Sequence, residues 1–220
     1  MKKTIILLIL LLSASSFGQE VFTIKKASKL YDVRLEAKEC DDSGCRGEVK
    51  FLIFKKGQTK PFQAFTTPTE FMAEEAKLPN TKLMYDYQSV VFFEDYNFDG
   101  LEDLSIRDGN NGGYGGPSYQ IYLFSPKAGK FVNNPAFTKL NQGVYLGAME
   151  VDKRKKVLRG FSKSGCCWHQ TEEFAVVNNR PKKVYEYTED ASIPDENKVK
   201  LTTKRLVGGK WRTTVKYVKR

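Results

Sequence analysis

A nine-residue acidic loop constrains this chain more than any other feature of its sequence. Residues 95–103 read D-Y-N-F-D-G-L-E-D, so three carboxylates and one amide alternate around the turn made by Gly100. Oxygen side chains at this spacing are typical of calcium loops. The predicted ligands are the side chains of Asp95, Asn97, Asp99 and Asp103 and the backbone carbonyl of Leu101. The twelfth loop position holds Ile106 instead of glutamate, which excludes an EF-hand.

The segments on either side of this loop have the composition of β-strands. Residues 89–93 read S-V-V-F-F, and Leu104 and Ile106 follow the loop. Because β-branched and aromatic residues favour strands, we expect the loop to connect two strands. The alternative from these residues alone is an acidic surface turn that binds no metal.

The first 18 residues have the pattern of a secretory signal peptide. A basic start at Lys2 and Lys3 is followed by an unbroken apolar run over residues 5–12 and a short segment of small and polar residues. The run is too short for a stable membrane anchor, and we expect cleavage before Gln19. No cysteine lies near this position, so no lipid anchor is indicated. The sequence thus predicts a bacterial protein that is periplasmic or secreted, with no transmembrane anchor.

Four cysteines in an exported chain indicate disulfides. Cys40 and Cys45 bracket a tight loop between two strand-like runs, so we expect them to pair. The remaining two, Cys166 and Cys167, are adjacent, and their α-carbons are only about 3.8 Å apart, closer than a disulfide prefers. Cross-pairing between the two loops is therefore the competing arrangement.

The rest of the chain predicts one all-β domain over residues 19–220, either propeller-like or built from several antiparallel sheets. Short β-like runs alternate with turn signals, and only residues 69–78 suggest a helix. Residues 198–220 form a predicted hairpin around Gly208 and Gly209. This hairpin holds nine basic residues and no acidic residue. It is either a solvated edge whose lysines block strand pairing or a surface for an acidic partner; nucleic acid is a poor partner for an exported protein.

Two loops are candidates for recognition. Residues 109–117 are rich in glycine and carry Tyr114, but they lack the lysine and the following helix of a phosphate-binding loop. They are either a flexible connection out of the strand that follows the acidic loop or a contact loop that exposes Tyr114. Residues 164–169, with sequence S-G-C-C-W-H, are expected to join two strands. The single histidine, His169, has no identifiable nucleophile to complete a catalytic set. We therefore expect recognition by Ser164, Gly165, Trp168, His169 and Tyr114, and no enzymatic activity.

The region from Asp95 to Tyr187 resembles an exported bacterial family with a single FG-GAP-like calcium loop, to which the xanthomonad type IV secretion immunity proteins belong. The matching segments are the calcium loop, the glycine-rich loop, Y-Q-I-Y-L-F at 119–124, K-F-V at 130–132 and the Ser164-Gly165 loop. The resemblance implies a propeller-like all-β fold and inhibition of lysozyme-like enzymes that cleave peptidoglycan. The S-G-C-C-W segment is also similar to the S-G-x-x-Y loop that small periplasmic lysozyme inhibitors insert into the enzyme cleft, with Trp168 in place of tyrosine.

Two classes of binding function are consistent with these residues. The first is an inhibitor or immunity protein whose partner is a cell-wall hydrolase or another envelope protein. The second is a calcium-stabilised adhesion or scaffolding module that binds a glycan or a protein.

Overall fold

The computed structural model describes residues 18–83 and 86–220, so the predicted signal peptide lies outside the described residues except for Gly18. The described chain forms three antiparallel sheets, each a meander of consecutive strands. The N-terminal sheet contains β1 Gly18–Ile24, β2 Tyr31–Asp41, β3 Gly44–Lys55 and β4 Gln63–Phe71. The central sheet contains β5 Val91–Glu94, β6 Asp103–Gly109, β7 Ser118–Ser125 and β8 Lys130–Asn133. The C-terminal sheet contains β9 Glu150–Asp152, β10 Val157–Ser164, β11 Trp168–Val177, β12 Arg180–Asp190, β13 Lys198–Val207 and β14 Lys210–Lys219. The all-β prediction is confirmed, in its multi-sheet form.

The central sheet is buried on both faces because the other two sheets cover it. Alternate residues of its strands face opposite sides and contact different sheets. On one face, Phe93 stacks on Tyr31 of the N-terminal sheet with ring centroids 5.5 Å apart. On the other, Phe92 meets Tyr119 edge-on at 5.2 Å. This second cluster continues into Leu158 and Phe174 of the C-terminal sheet. The two faces of one short sheet therefore hold the three sheets together.

The helix suggested for residues 69–78 is wrong. Residues up to Phe71 belong to β4, where Thr67, Thr69 and Phe71 are buried and alternate with exposed neighbours. That two-residue period and the β-branched threonines favour a strand. Only a 3₁₀ turn forms beyond it, at Glu75–Lys77.

The one α-helix in the described chain, α1 Pro135–Leu140, is not predicted by the sequence. Its length of six residues is too short for a periodic apolar pattern. Asn134 caps it by accepting hydrogen bonds from the backbone N–H groups of Ala136 and Phe137. The helix places Phe137 in the second core cluster. No helix among the described residues is long and apolar enough to cross a membrane.

Both disulfides join neighbours in sequence. Cys40 and Cys45 face each other across the β2–β3 hairpin and are bonded. Cys166 and Cys167 are bonded to each other in the β10–β11 turn. Cross-pairing between the two loops therefore does not occur. Disulfides of this kind are compatible with an exported protein.

Candidate functional site

The acidic loop connects β5 and β6, as predicted, and is tightly folded by its own side chains. The two carboxylate oxygens of Asp95 accept hydrogen bonds from the N–H groups of Asp99 and Gly100, both at 3.0 Å. Asp99 in turn accepts from the N–H of Leu101 at 2.9 Å. Gly100 has φ +91°, which favours glycine. The loop is thus held closed by contacts between the predicted ligands and its backbone.

Asp103 differs from the other predicted ligands because it is fully buried. Its carboxylate accepts hydrogen bonds from the N–H groups of Tyr96 at 2.9 Å and Phe124 at 2.8 Å. Burial, together with a smaller effect of the nearby Asp99 charge, raises the pKa of Asp103 to about 7. A cation would offset both effects, so the donor chemistry fits calcium.

The predicted ligands have suitable donor atoms for calcium, but their carboxylates alone do not form a complete metal site. Among residues 18–83 and 86–220, no three acidic, histidine or cysteine side chains converge as a metal site would require. The predicted site would therefore depend on the amide oxygen of Asn97 and the carbonyl of Leu101 as well as on the carboxylates.

The acidic loop also joins two sheets. The side-chain amide of Asn97 donates to the side-chain oxygen of Asn179, in the β11–β12 turn, at 3.1 Å. Asn134, the cap of α1, donates to the backbone carbonyl of Asn179 at 3.0 Å. The central sheet, the helix and the C-terminal sheet therefore meet at this loop.

The glycine-rich loop lies at the opposite end of β6 and has a fixed conformation. Its N–H groups at Gly112 and Gly113 donate to the carbonyls of Gly116 and Tyr145. A Cβ on Gly113 would lie 2.4 Å from the carbonyl oxygen of Val144, so only glycine fits there. Tyr114 stands out from this frame with φ +56° and 66% exposure.

A buried ion pair supports the start of this loop. The Arg107 Nη1 atom lies 2.7 Å from a carboxylate oxygen of Glu75, and both side chains are less than one-tenth exposed. Neither Nη1 nor Nε of Arg107 has a hydrogen-bond partner among the described atoms. We interpret the pair as an electrostatic contact. Arg107 also donates from Nη2 to Asn110 at 2.7 Å, which fixes the first residues of the loop.

Tyr114 meets the cysteine turn. The Gly165 N–H donates to the Tyr114 hydroxyl at 2.7 Å, although the two residues are 51 positions apart. The ammonium of Lys163 lies 5.3 Å from the centre of the Tyr114 ring. The turn is also tied to the start of the β12–β13 connection, because the N–H of Ala191 donates to the carbonyl of Cys167 at 2.7 Å. We call this surface the recognition edge; it comprises Tyr114, Ser164, Gly165, Cys166, Cys167 and Trp168.

The structure separates Trp168 from His169. The turn itself consists of Gly165, Cys166 and Cys167, and both Trp168 and His169 belong to β11, so they face opposite sides of the sheet. Trp168 lines a groove with Tyr114 and Val144. His169 stacks on Phe161, with ring centroids 5.9 Å apart. The expectation that residues 164–169 all belong to the connection between two strands is therefore wrong for Trp168 and His169, and only Trp168 lines the groove with Tyr114.

The glutamates that follow His169 are engaged elsewhere. Glu172 is buried and accepts hydrogen bonds from the Tyr145 hydroxyl and the Lys183 ammonium. Burial, reinforced by Glu172, raises the pKa of Tyr145. Glu173 forms ion pairs with Arg159 and Lys155 instead. The Tyr145–Glu172–Lys183 network is not predicted by the sequence, because its members are far apart in the chain and belong to no motif.

The comparison with solved structures gives a fold match. The chain is similar to a structure described as a Xanthomonas type IV secretion system related protein, with a TM-score of 0.61 and 22% sequence identity. The match covers 84% of this chain and 90% of that one. No family model matches the chain, and no curated protein matches its sequence. The similarity shows a shared fold over most of both chains.

Proposed function

We propose that this protein is an exported inhibitor of a lysozyme-like, peptidoglycan-cleaving enzyme and that the recognition edge enters the enzyme's cleft. The observation that carries the proposal is the 2.7 Å hydrogen bond from the Gly165 N–H to the Tyr114 hydroxyl. It joins two loops from different sheets into one surface. The fold shared with a type IV secretion system related protein supports a secretion-associated role.

The recognition edge has the rigidity that an inhibitory surface needs. The Cys166–Cys167 disulfide constrains the turn. Tyr114 accepts a hydrogen bond from the turn, and backbone hydrogen bonds fix the glycine-rich loop that carries Tyr114. A loop that is already ordered loses little conformational entropy on binding, so a few contacts can give useful affinity. The edge is thus suited to insertion as a preformed unit.

Trp168 is the proposed anchor of this contact, and Tyr114 is its neighbour. Tryptophan and tyrosine are the residues most enriched at binding hot spots, because they bury much area at low entropic cost. His169 lies on the other face of β11 and stacks on Phe161. We therefore assign His169 no direct contact when Trp168 is in the cleft.

Replacing Trp168 with alanine is expected to weaken inhibition at least about thirtyfold, which corresponds to about 2 kcal/mol of binding free energy. The measurement is the inhibition constant against a panel of purified lysozyme-like hydrolases with peptidoglycan as substrate. Trp211→Ala is the matched control, because the chain has two tryptophans and Trp211 lies in β14, three strands from β11 and six residues along β14 from the row of Trp168.

Three outcomes decide the proposal. Loss of inhibition in Trp168→Ala but not in Trp211→Ala supports it. Equal inhibition by the parent and Trp168→Ala would show that the recognition edge is not the inhibitory element. If the parent inhibits no hydrolase and is retained on insoluble peptidoglycan, the protein is a glycan-binding module and the inhibitor proposal is wrong.

We further propose that calcium binds the acidic loop as a structural ion. The loop lies at the joint between the central and C-terminal sheets and at the opposite end of β6 from the recognition edge. Its proposed role is therefore to stabilise this joint, without contact to the partner enzyme. Asp95, Asn97, Asp99, Asp103 and the Leu101 carbonyl are the proposed ligands.

Excess calcium is expected to raise the melting temperature, and a chelator to reverse the change. At a calcium concentration ten times the dissociation constant, the stabilisation is about 1.4 kcal/mol. Differential scanning calorimetry with calcium and with chelator measures it, and magnesium at the same concentration is the control for ionic strength. Equal melting temperatures in calcium and chelator would exclude a structural calcium ion.

A further inference from the structure

The C-terminal hairpin separates from β12 near its turn. The last pair between β12 and β13 is Tyr185 with Arg205. The β13–β14 ladder continues past it through Leu206–Trp211 and Val207–Lys210. We call residues 205–212 the hairpin tip; it carries no third strand beyond Arg205.

The hairpin tip carries exposed apolar side chains and cations. Its three cations share one face with Val207, and Trp211 lies on the other face, so a partner must take the tip end-on to meet both. Trp211 is 46% exposed and Val207 is 45% exposed. Its basic residues are Arg205, Lys210 and Arg212, and residues 198–220 contain no acidic residue. Within residues 18–83 and 86–220, neither Lys210 nor Arg212 forms an ion pair, and Arg205 lies over the ring of Tyr185 at 4.6 Å.

Two of these cations face each other. Arg205 and Arg212 are directly opposite in the β13–β14 ladder. Like charges in this position destabilise a strand pair. An anionic group bound between Arg205 and Arg212 would offset this repulsion, and the hairpin would not need to change its conformation.

The combination of charge and apolar surface identifies the partner. An isolated anion or a soluble acidic polymer would neutralise the cations but leave Trp211 and Val207 in water. An anionic bilayer offers phosphates for the cations and an interfacial zone in which tryptophan and aliphatic side chains are stable. We propose that the hairpin tip docks on a bilayer surface that contains anionic phospholipid. This docking is independent of the recognition edge and of the inhibitor function.

Vesicle binding tests the proposal directly. Trp168→Phe leaves Trp211 as the single tryptophan and a reporter of the tip. With vesicles of phosphatidylglycerol and phosphatidylcholine, we expect a blue shift of Trp211 emission and co-sedimentation of the protein. Vesicles of phosphatidylcholine alone should give neither. Salt at about 1 M, where the Debye length is about 3 Å, should release the protein.

The charge requirement has a matched control. Neutralising Arg205, Lys210 and Arg212 with glutamine should weaken binding about 100-fold, at about fivefold for each cation. The control replaces Lys60, Lys127 and Lys153 with glutamine. All three are exposed and remote from the tip in sequence, and the two triple variants have the same net charge. The control should bind like the parent. Equal loss in both triple variants, or binding to phosphatidylcholine alone, would overturn the proposal. Binding to soluble polyglutamate without binding to vesicles would identify an acidic protein as the partner and would also overturn it.

Discussion

Replacing Arg107 with methionine is expected to lower the free energy of unfolding by about 3–5 kcal/mol, because the change leaves Glu75 buried without its partner. Glu75 also accepts from the N–H of Met72, so its carboxylate cannot leave the core without breaking that contact. The loss should appear as a lower midpoint in urea at an unchanged slope.

The double variant Glu75→Gln, Arg107→Met separates the buried charge from the loss of volume. Removing both charges of a buried pair is often close to neutral, so the double variant should recover most of the stability that the single variant loses. Because Arg107 also holds Asn110, both variants should loosen the glycine-rich loop, and hydrogen exchange at Gly112 and Gly113 would report it. A loss below about 1 kcal/mol in Arg107→Met would contradict the assigned role.

The sequence predicts local features well because they depend on short-range chemistry. The strands around the acidic loop, the Cys40–Cys45 pair and the C-terminal hairpin all follow from patterns within about 20 residues. The β-branched and aromatic runs set the strands, and Gly208 and Gly209 set the turn. The helix predicted for residues 69–78 is wrong because its first three residues continue the two-residue period of β4.

The sequence could not predict how distant loops meet. Tyr114 and the cysteine turn were identified separately, but their hydrogen bond depends on how the central and C-terminal sheets pack. The predicted position of His169 is also wrong, because the turn ends at Cys167 and the strand period then places Trp168 and His169 on opposite faces. A shift of one residue in the register of β11 would exchange the faces of these two side chains and place His169, not Trp168, beside Tyr114.

The buried ion pair and the Tyr145–Glu172 contact were equally beyond the sequence. Glu75 and Arg107 are 32 positions apart, and Tyr145 and Glu172 are 27 apart. Both pairs join charged or polar residues that, in a single sequence, look like surface residues. Their burial follows from packing between sheets, for which local sequence patterns carry no signal.

Replacing Asp103 with alanine is expected to lower the free energy of unfolding by about 2–6 kcal/mol. The change leaves two buried backbone N–H groups, those of Tyr96 and Phe124, without an acceptor, and each costs about 1–3 kcal/mol. Tyr96 lies in the acidic loop and Phe124 lies in β7, whereas Asp103 begins β6. The substitution therefore weakens the attachment of the acidic loop and of β7 to β6. Urea unfolding in the presence of chelator measures the structural part alone.

The loss should also depend on pH, and the sign follows from the raised pKa of Asp103. Its folded pKa of about 7 lies above the unfolded value of about 3.9, so the folded protein holds a proton that the unfolded chain releases. The parent therefore loses stability as pH rises between about 4 and about 7, whereas Asp103→Ala lacks this titration. In chelator, the stability difference between parent and variant should be larger at pH 5 than at pH 8.

Asp99→Ala separates the ligand role of the loop from its structural role. Asp99 is exposed, so its removal should cost no more than about 1 kcal/mol in chelator. If calcium binds the loop, both Asp99→Ala and Asp103→Ala should lose the calcium-induced rise in melting temperature. Calcium should also flatten the pH dependence of the parent, because a cation next to Asp103 lowers the pKa of its carboxyl. A calcium response that survives in both variants would place the ion elsewhere and leave Asp103 as a purely structural acceptor of hydrogen bonds.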